Sequence, residues 1–161
     1  MKPSEQALEM IKSFEGLRCR AYKAIPEEKY YTIGYGHCSP DITRHQVISP
    51  KQADQLLLQD VGEIAAKLDA DTPNLEQHQY DALISMIYNI GWYNYRHSML
   101  RESVRNLNLN KTPEQIARRM TWWVRASGKV LLGLQKRRVY EANHFLGYEH
   151  FKLSDGKIIE L

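Results

Sequence analysis

The spacing of apolar residues predicts that the chain begins with an amphipathic helix. After Ser4, apolar side chains recur at helical intervals at Ala7, Leu8, Ile11 and Phe14. Ser4 is a suitable N-cap for such a helix, and Gly16 is a suitable stop. Glu15 therefore lies in the last turn, beside the apolar face.

Between residues 17 and 48 the helical spacing gives way to short runs of strand-forming residues. These runs are rich in tyrosine, threonine and isoleucine, and they are interrupted by Pro26, Gly34, Gly36 and Pro40. The pattern predicts a small antiparallel sheet of two or three strands. Because so small a sheet is not stable alone, we expect it to pack against helices.

Helical spacing returns at residue 49 and continues through most of the chain. Ser49, Pro50 and Gln52 have the order of an N-cap, a first-turn proline and a capping-box partner. Apolar residues then follow at helical intervals as far as Leu68. At about 1.5 Å per residue, a helix of this extent is about 28 Å long, which is enough to connect two lobes.

Further elements are predicted from residue 72 to the end. Residues 72–92 contain a helix that closes at Gly91, and shorter helices follow at 98–106 and after the cap signal at 112–115. Gly128 and Gly133 bracket a predicted turn before a last helix over 134–147. Asp155-Gly156 lies between two strand-like runs, which is typical of a hairpin.

These patterns predict a single α+β domain over residues 1–161 that is mainly helical. A small N-terminal sheet lobe and a larger helical lobe are joined by the long helix. The predicted segments are a first helix (1–14), a sheet lobe with a cleft (15–48), a connecting helix (49–69), a helical lobe (70–147) and a C-terminal extension (148–161).

Composition and charge restrict the function only weakly. The formal net charge of +3 is compatible with an acidic polymer as partner, but a soluble surface with a few surplus cations explains it equally well. Cys19 and Cys38 lack CxxC spacing, so we expect free, partly buried thiols rather than a disulfide or a metal site. The N-terminal segment has no continuous apolar core, so no signal peptide is predicted, and no stretch approaches the roughly 20 apolar residues of a membrane span.

The position of Glu15 is chemically suggestive. A carboxyl group at the C-terminal end of a helix, next to an apolar face, is partly removed from water and faces the negative end of the helix dipole. Both conditions favour the protonated form of the carboxyl group, which suits a residue that must carry a proton as a general acid. A surface glutamate that happens to end a helix is the alternative interpretation.

Four sequence blocks resemble the phage-type lysozymes (endolysins), the muramidases of glycoside hydrolase family 24. The blocks are "FEGLRCRAY" (14–22), "YYTIGYGH" (30–37), "YDALISMIYNIGW" (80–92) and "GLQKRRVYEANHF" (133–145). The resemblance covers roughly residues 4–147. The first two blocks together are the specific part, because a hairpin needs no glutamate, threonine or histidine for packing.

The resemblance implies a lysozyme-like fold and assigns roles to three residues. Glu15 corresponds to the general acid that protonates the glycosidic oxygen. Thr32 corresponds to the threonine on the opposite side of the cleft, beside the attacking water. His37 corresponds to a histidine that supports the site by hydrogen bonding near the catalytic glutamate, although a purely structural role is equally compatible with the sequence.

The chain departs from the family pattern in the loop between these residues. The family usually has an aspartate or cysteine nine residues after the glutamate, where this chain has Ala24, and Thr32 follows Glu15 by about two more residues than usual. Inverting hydrolysis needs a second carboxylate to activate water. Glu28 is the first candidate for that carboxylate and Asp41 is the second. The third possibility is that there is no base, as in a lytic transglycosylase, where the sugar's own C6 hydroxyl attacks.

The remaining expectations concern substrate and partners. Tyr22 and Tyr35, with Trp92, could line a sugar groove, although each is also compatible with core packing. The basic run at 135–138 could attract an acidic wall or could simply be a solvated helix face. No metal-ligand or phosphate-loop pattern occurs, so no cofactor is predicted.

The resemblance therefore implies cleavage of the β-1,4 bond between N-acetylmuramic acid and N-acetylglucosamine in bacterial peptidoglycan. A lytic transglycosylase and a catalytically silent wall-binding protein are the alternatives. We expect a monomer that binds glycan strands, with no nucleic-acid partner and no membrane insertion. Without a signal peptide, such a protein is expected to accumulate in the host cytoplasm and to reach the wall after the membrane is opened.

Overall fold

The structure is a computed structural model, and it describes residues 1–72 and 74–161. Pro73, in the segment predicted to lead into the second long helix, lies outside the described residues. Seven helices are described: α1 (Glu5–Glu15), α2 (Pro50–Asp71), α3 (Gln77–Ile90), α4 (Trp92–Arg96), α5 (Met99–Arg105), α6 (Pro113–Met120) and α7 (Leu132–Leu146). Seven strands are described: β1 (Arg18–Tyr22), β2 (Tyr31–Gly34), β3 (His37–Ser39), β4 (Arg125–Ala126), β5 (Lys129–Val130), β6 (Phe151–Ser154) and β7 (Lys157–Glu160).

The cap signals in the sequence set the starts of three helices. The Ser4 side chain accepts a hydrogen bond from the Ala7 N–H at the start of α1. Ser49 with Gln52, and Thr112 with Gln115, form complete capping boxes at the starts of α2 and α6. Each box satisfies backbone N–H groups that a helix start otherwise leaves unpaired.

The N-terminal sheet has three antiparallel strands in the order β1-β2-β3. One face of this sheet packs against α2 through a small hydrophobic cluster of Ala21, Ile33, Ile42, Ile48 and Ala53. This cluster is separate from the main core. The predicted small sheet supported by helices is therefore confirmed.

The main core is built around α3. Nine consecutive residues of α3, from Gln79 to Ile87, are buried, so this helix is enclosed on nearly all sides. It packs against α7, α1 and α2. The 22 residues of α2 give it a length of about 33 Å, and it contacts both the sheet and α3.

Two predictions about the second half of the chain are corrected. Gly133 does not close a turn, because it is the second residue of α7, which begins at Leu132 rather than at 134. The turn lies instead at Ser127 and Gly128, in the short hairpin of β4 and β5, where both residues have positive φ. The short helix α4 begins directly after Gly91, where the sequence predicts only a helix stop.

The C-terminal hairpin is confirmed. Strands β6 and β7 pair from Phe151 with Glu160 to Ser154 with Lys157, and Asp155 and Gly156 both have positive φ in the turn. Such a turn suits Asp-Gly because both central residues adopt left-handed conformations. Within the described part of the chain, no helix has the length and apolar character needed to cross a membrane.

Candidate active site

Glu15 is the last residue of α1, and its carboxylate is held in a partly enclosed position. Its side chain is 22% exposed. Gly16 follows with φ +69°, and its N–H bonds the Lys12 carbonyl at 3.0 Å. The glycine ends the helix without a steric penalty, so the chain turns directly from Glu15 into β1.

Arg137 of α7 fixes one oxygen of this carboxylate. Its Nη1 lies 2.5 Å from Glu15 Oε1, and the arginine side chain is only 5% exposed. The same guanidinium donates through Nη2 to the Ser85 carbonyl at 3.0 Å and through Nε to Glu141 Oε1 at 2.9 Å. Because Arg137 is itself held at three points, it restricts the rotation of Glu15.

Behind Arg137 lies a buried network of charged and polar groups. Glu141 is fully buried, accepts from the Ser85 hydroxyl at 2.7 Å and also pairs with Arg138. Arg138 donates to Asn89 and, at 3.0 Å, to the Trp123 carbonyl. Burial lowers the pKa of Arg138, and the Glu141 charge opposes that effect.

This network corrects both interpretations of the basic run at 135–138. Gln135, Arg137 and Arg138 are buried, so three of these four residues neither attract a polymer nor face water. Only Lys136 is exposed. The two arginines instead connect the end of α1 to α3 and α7.

The register of the sheet separates the candidate residues by face. Tyr22 pairs with Thr32, and Thr32 pairs with Cys38. Residues directly opposite one another share a face, so these three side chains lie on one side of the sheet. Ile33 pairs with His37, and both lie on the other side, where Ile33 is buried against α2.

Tyr22 lies close to the charges of the candidate site. Its pKa is raised first by burial; the Arg18 guanidinium, 4.2 Å from its ring centre, opposes this effect. The negative charges of Glu15 and Glu28 raise the pKa further. The charges of both candidate carboxylates therefore act on the Tyr22 phenol.

His37 bonds an aspartate that the sequence did not single out. Its Nδ1 lies 2.9 Å from both carboxylate oxygens of Asp60, on α2. Burial raises the pKa of Asp60, and the hydrogen bond from His37 opposes this shift. The histidine thus ties β3 to α2.

The turn between β2 and β3 approaches Glu15 closely. A Cβ at Gly36 would lie 3.6 Å from Glu15 Oε2 and 3.8 Å from the Tyr88 hydroxyl, and Gly36 has φ +98°. Tyr88 donates to the Tyr35 carbonyl at 2.7 Å, which fixes this turn. Burial raises the pKa of Tyr88, and the charges of Asp60 and Glu15 raise it further.

The two candidate carboxylates have different surroundings. Glu28 is half-buried, and its Oε2 accepts a hydrogen bond from the Ala24 N–H at 2.8 Å. Asp41 is exposed beyond β3, where its backbone N–H bonds the Ser39 hydroxyl at 3.2 Å. Of the two, Glu28 is the one brought back to the backbone position where the family usually has its loop aspartate.

The remaining predicted residues take varied positions. The Tyr35 side chain packs against both hydrophobic clusters, and the Lys12 ammonium lies 5.6 Å from its ring centre. Both cysteines are free, as predicted. Cys19 is partly buried, but Cys38 is exposed, so the expectation of a partly buried thiol is wrong for Cys38. Among residues 1–72 and 74–161, no three histidine, cysteine or acidic side chains are grouped as a metal site requires.

Sequence reasoning missed Arg137, Glu141, Asp60 and Tyr88. The spacing of two arginines and a glutamate within one helical turn, at 137, 138 and 141, was the available signal for the buried network. Asp60 offered no comparable signal, because it is one of five acidic residues in α2. Nothing in the sequence marks Tyr88 as different from a core tyrosine.

A three-stranded sheet beside an enclosed helical core, with a carboxylate at the end of the first helix, defines a lysozyme-like α+β protein. The Phage lysozyme family model matches residues 12–141. The chain belongs to this family, which confirms the resemblance and the predicted fold class.

Individual relatives agree with this assignment. The endolysin of Bacillus phage B103 is 41% identical over 155 residues, which cover 96% of this chain and 57% of that protein. The muramidase domain of SpmX from Asticaccaulis excentricus superposes with a TM-score of 0.79 at 32% identity, covering 90% of this chain and 97% of that one. An endolysin from Escherichia coli O157:H7 phage FAHEc1 has a TM-score of 0.75 at 33% identity, with 91% and 94% covered.

The chain spans only part of its curated phage relatives. It covers 57% of the endolysin of Bacillus phage B103 and 54% of that of Bacillus phage PZA. The similarity therefore concerns the lysozyme-like part of those proteins.

Proposed function

We propose that this chain is a muramidase that hydrolyses the β-1,4 bond between N-acetylmuramic acid and N-acetylglucosamine in peptidoglycan. The observation that carries the proposal is Glu15: a partly enclosed carboxylate at a helix end, fixed by Arg137 and facing the Gly36 turn. The named activity of the SpmX muramidase domain, which is similar over nearly its whole length, supports the same reaction.

In the proposed reaction Glu15 gives its proton to the glycosidic oxygen as the bond from that oxygen to C1 breaks. A water molecule held by Thr32 attacks C1 from the opposite face of the sugar. The second carboxylate takes a proton from this water as the new C–O bond forms. The product sugar then has the inverted configuration, which is the outcome of an acid and a base on opposite sides of the sugar ring.

Glu28 is the residue we propose as the second carboxylate. Its bond to the Ala24 N–H keeps its carboxylate beside the backbone of the residue that replaces the usual aspartate. A longer side chain from four residues further along can thus supply the carboxylate that Ala24 lacks. Asp41 remains the weaker candidate, because it is exposed and engaged in its own turn.

Tyr22 and Tyr35 are proposed to line the glycan site, with the stronger case for Tyr22. It is paired with Thr32 in the sheet and lies near both acidic groups. His37 is proposed as a positioning residue that acts through Asp60 and α2. In these assignments Thr32 and Tyr22 act from the face of the sheet that points away from α2. His37 acts from the face that packs against α2.

The setting of the activity follows from the same proposal. We propose that the chain acts in phage-driven lysis, that its partner is the glycan strand of the bacterial wall, and that it works as a monomer without a nucleic-acid partner. It would be made in the host cytoplasm and would meet the wall once the membrane is opened.

Digestion of purified peptidoglycan, with mass spectrometry of the released fragments, tests this proposal. The native protein should release fragments with reducing ends, and Glu15→Gln should release none. Glu5→Gln is the matched control, because Glu5 is an exposed glutamate in the first turn of the same helix. Release by Glu15→Gln at the native rate would overturn the assignment of the general acid.

The same digest separates the two other candidates. Fragments with 1,6-anhydro ends would show that the sugar's C6 hydroxyl attacks C1, as in a lytic transglycosylase. Retained binding with no release would identify a silent wall-binding protein. Ala24 is the feature that keeps both alternatives open, because the usual loop carboxylate is absent at that position.

A further inference from the structure

A polar groove with a basic lining lies on the helical lobe, on elements that the proposed reaction does not use. It has a volume of about 460 Å³ and is formed by α4, α5 and the residues between them. Its charged lining consists of Arg96, Arg101, Glu102 and Arg105. A second depression of about 330 Å³ shares Arg96 and Arg101 and adds Lys67 and Trp92. The two form one basic surface, which we call the arginine groove.

The three arginines of the arginine groove are not equivalent. Arg101 is anchored, since its Nε and Nη2 bind the Asp71 carboxylate at 2.5–3.0 Å. Its Nη1 takes no part in this pair. Arg96 and Arg105 are exposed, and within the part of the chain that the structure describes neither has a carboxylate within 4.0 Å. Among the described residues, one guanidinium held in an ion pair therefore lies beside two that form none.

The local electrostatics confirm that positive charge accumulates here. The pKa of Asp71 is lowered by its hydrogen bond to Arg101, and the charges of Arg101 and Arg105 lower it further. Arg101 and Arg105 are four residues apart on α5, where like charges repel. Arg105 is also in the last turn of α5, where a cation is favoured, so its repulsion from Arg101 is partly offset.

We propose that the arginine groove binds the phosphodiester groups of a flexible polyanion with a polyol backbone. Guanidinium groups donate two parallel hydrogen bonds to phosphate oxygens, and several of them in a row suit a chain of repeated phosphates. The groove has few features for other phosphate polymers. Among the described residues, the rings that line it are those of half-buried Trp92 and of His97, which already lies 4.4 Å from the Tyr93 ring, so the groove offers little stacking surface for nucleic-acid bases.

One lining residue of the groove, Lys67, lies on α2, the helix that supports the sheet. Lys67 follows Asp60 by seven residues on α2, so the two lie on one face of that helix, about 10 Å apart along its axis. Asp60 is the residue that contacts His37 beneath the candidate active site. We assign a phosphate polymer attached to the wall as the natural source, because the glycan strand of the wall is the proposed substrate. The choice of a wall polymer as the natural source rests on the proposed function, whereas the binding of phosphodiester groups by the groove does not.

Calorimetric titration of the full chain with a soluble poly(glycerol phosphate) tests the binding. The test variant is Arg96→Gln/Arg105→Gln, which leaves the Arg101–Asp71 pair intact. The control is Arg20→Gln/Arg44→Gln, which removes the same charge from two exposed arginines of the sheet lobe. Thermal unfolding of each variant, with and without polymer, shows that the proteins are folded and gives a second measure of binding.

We expect the test variant to bind about tenfold more weakly and the control to bind within about twofold of the native protein. The slope of log affinity against log salt should fall by about 1 to 1.5 in the test variant, because each lost phosphate contact contributes roughly 0.7. Equal losses in the two double variants would overturn the proposal, since only net charge would then matter.

Three other ligands separate the sources of negative charge. Polyglutamate of matched charge, single-stranded DNA and vesicles containing phosphatidylglycerol should each bind more weakly than poly(glycerol phosphate). Equal binding of polyglutamate would remove the preference for phosphate. Tighter binding of DNA or vesicles, lost in the test variant, would reassign the groove to nucleic acid or to a membrane surface. Because none of these titrations measures hydrolysis, their failure is distinguishable from failure of the muramidase proposal.

Discussion

At the scale of single residues, the candidate site depends on how two carboxylates are held. Glu15 is fixed by Arg137 on one oxygen, while Oε2 faces the Gly36 turn. Glu28 is fixed by the Ala24 N–H. One carboxylate is bound by a buried cation and the other by a neutral backbone donor, so each is held in place by a different kind of partner.

Glu28→Gln tests the proposed base. The amide can still accept from the Ala24 N–H but cannot take a proton from water, so kcat should fall by about 10²- to 10⁴-fold with little change in KM. Glu27→Gln is the control, since Glu27 is the exposed neighbour in the same loop. Equal activity of the two variants in a wall-digestion assay would exclude Glu28 as the base.

Arg137→Gln tests the positioning of the proposed acid. Without its ion pair the Glu15 side chain samples more rotamers, and we expect kcat to fall about 10- to 100-fold while KM stays within about twofold. Arg137→Lys should recover part of the loss. Lys136→Gln, at the exposed neighbouring position, should leave the rate unchanged. An unchanged kcat in Arg137→Gln would mean that packing alone positions Glu15.

At the scale of elements, short sequence signals predict boundaries well and partners poorly. Ser49 and Gln52 fix the start of α2 because their hydrogen bonds are local. Asp155-Gly156 fixes a turn for the same reason. The burial of Arg137, however, depends on Glu15, which is 122 positions away in the sequence. From sequence alone, a basic run on a helix is therefore predicted to face water, because the distant partner that buries it is not known.

The contrast between local signals and distant partners also explains which site residues the sequence could predict. Glu15 and Thr32 are candidates from the sequence because two short motifs carry them. His37 was identified as well, but its partner Asp60 was not, since the pairing depends on how the sheet packs on α2. Tyr88 was indistinguishable from the core residues around it, because its role follows from a hydrogen bond to the Tyr35 backbone.

The pair between α2 and α5 gives a pH-dependent prediction. The folded-state pKa of Asp71 is lowered by Arg101. A carboxyl group whose pKa is lower in the folded state stabilises the protein above its unfolded pKa, and that contribution disappears as the pH falls through the folded value. We therefore expect Asp71→Asn to lose about 1–2 kcal/mol of unfolding free energy at pH 7, and the difference from the native protein to shrink below about pH 5.

Denaturant unfolding at several pH values measures this difference. Asp155→Asn is the control, because asparagine also suits the exposed turn position with positive φ. It should follow the native protein at every pH. A deficit in Asp71→Asn that stays constant down to pH 3 would show that the pair contributes through packing rather than through charge.

At the scale of the whole molecule, the buried network joins the candidate active site to the core. Glu141 is shared by Arg137 and Arg138, and through them it connects α7 to Glu15 on α1 and to Asn89 on α3. The three charged side chains are at most 5% exposed. Global stability and the geometry of the acid therefore depend on one buried carboxylate.

Glu141→Gln should be the most destabilising of these substitutions. It leaves two buried guanidinium groups without their common counter-charge, which costs about 3–5 kcal/mol. In a chain of this size that corresponds to a lowering of Tm by roughly 10 °C. Glu149→Gln, at an exposed position, should change Tm by less than about 1 °C. A small effect of Glu141→Gln in calorimetry would mean that other groups neutralise the arginines.

The stereochemistry of the product tests the central claim most directly. Wall glycan is digested in ¹⁸O-labelled water, and the new reducing end is examined by NMR before it mutarotates and by mass spectrometry. Direct attack by water, with Glu15 as acid and a carboxylate opposite, predicts one ¹⁸O atom at the new reducing end and the α anomer as first product. A β anomer would indicate a retained configuration and an intermediate step, and an unlabelled 1,6-anhydro end would indicate attack by the sugar's own hydroxyl. Either result would contradict the proposed water-activating pair.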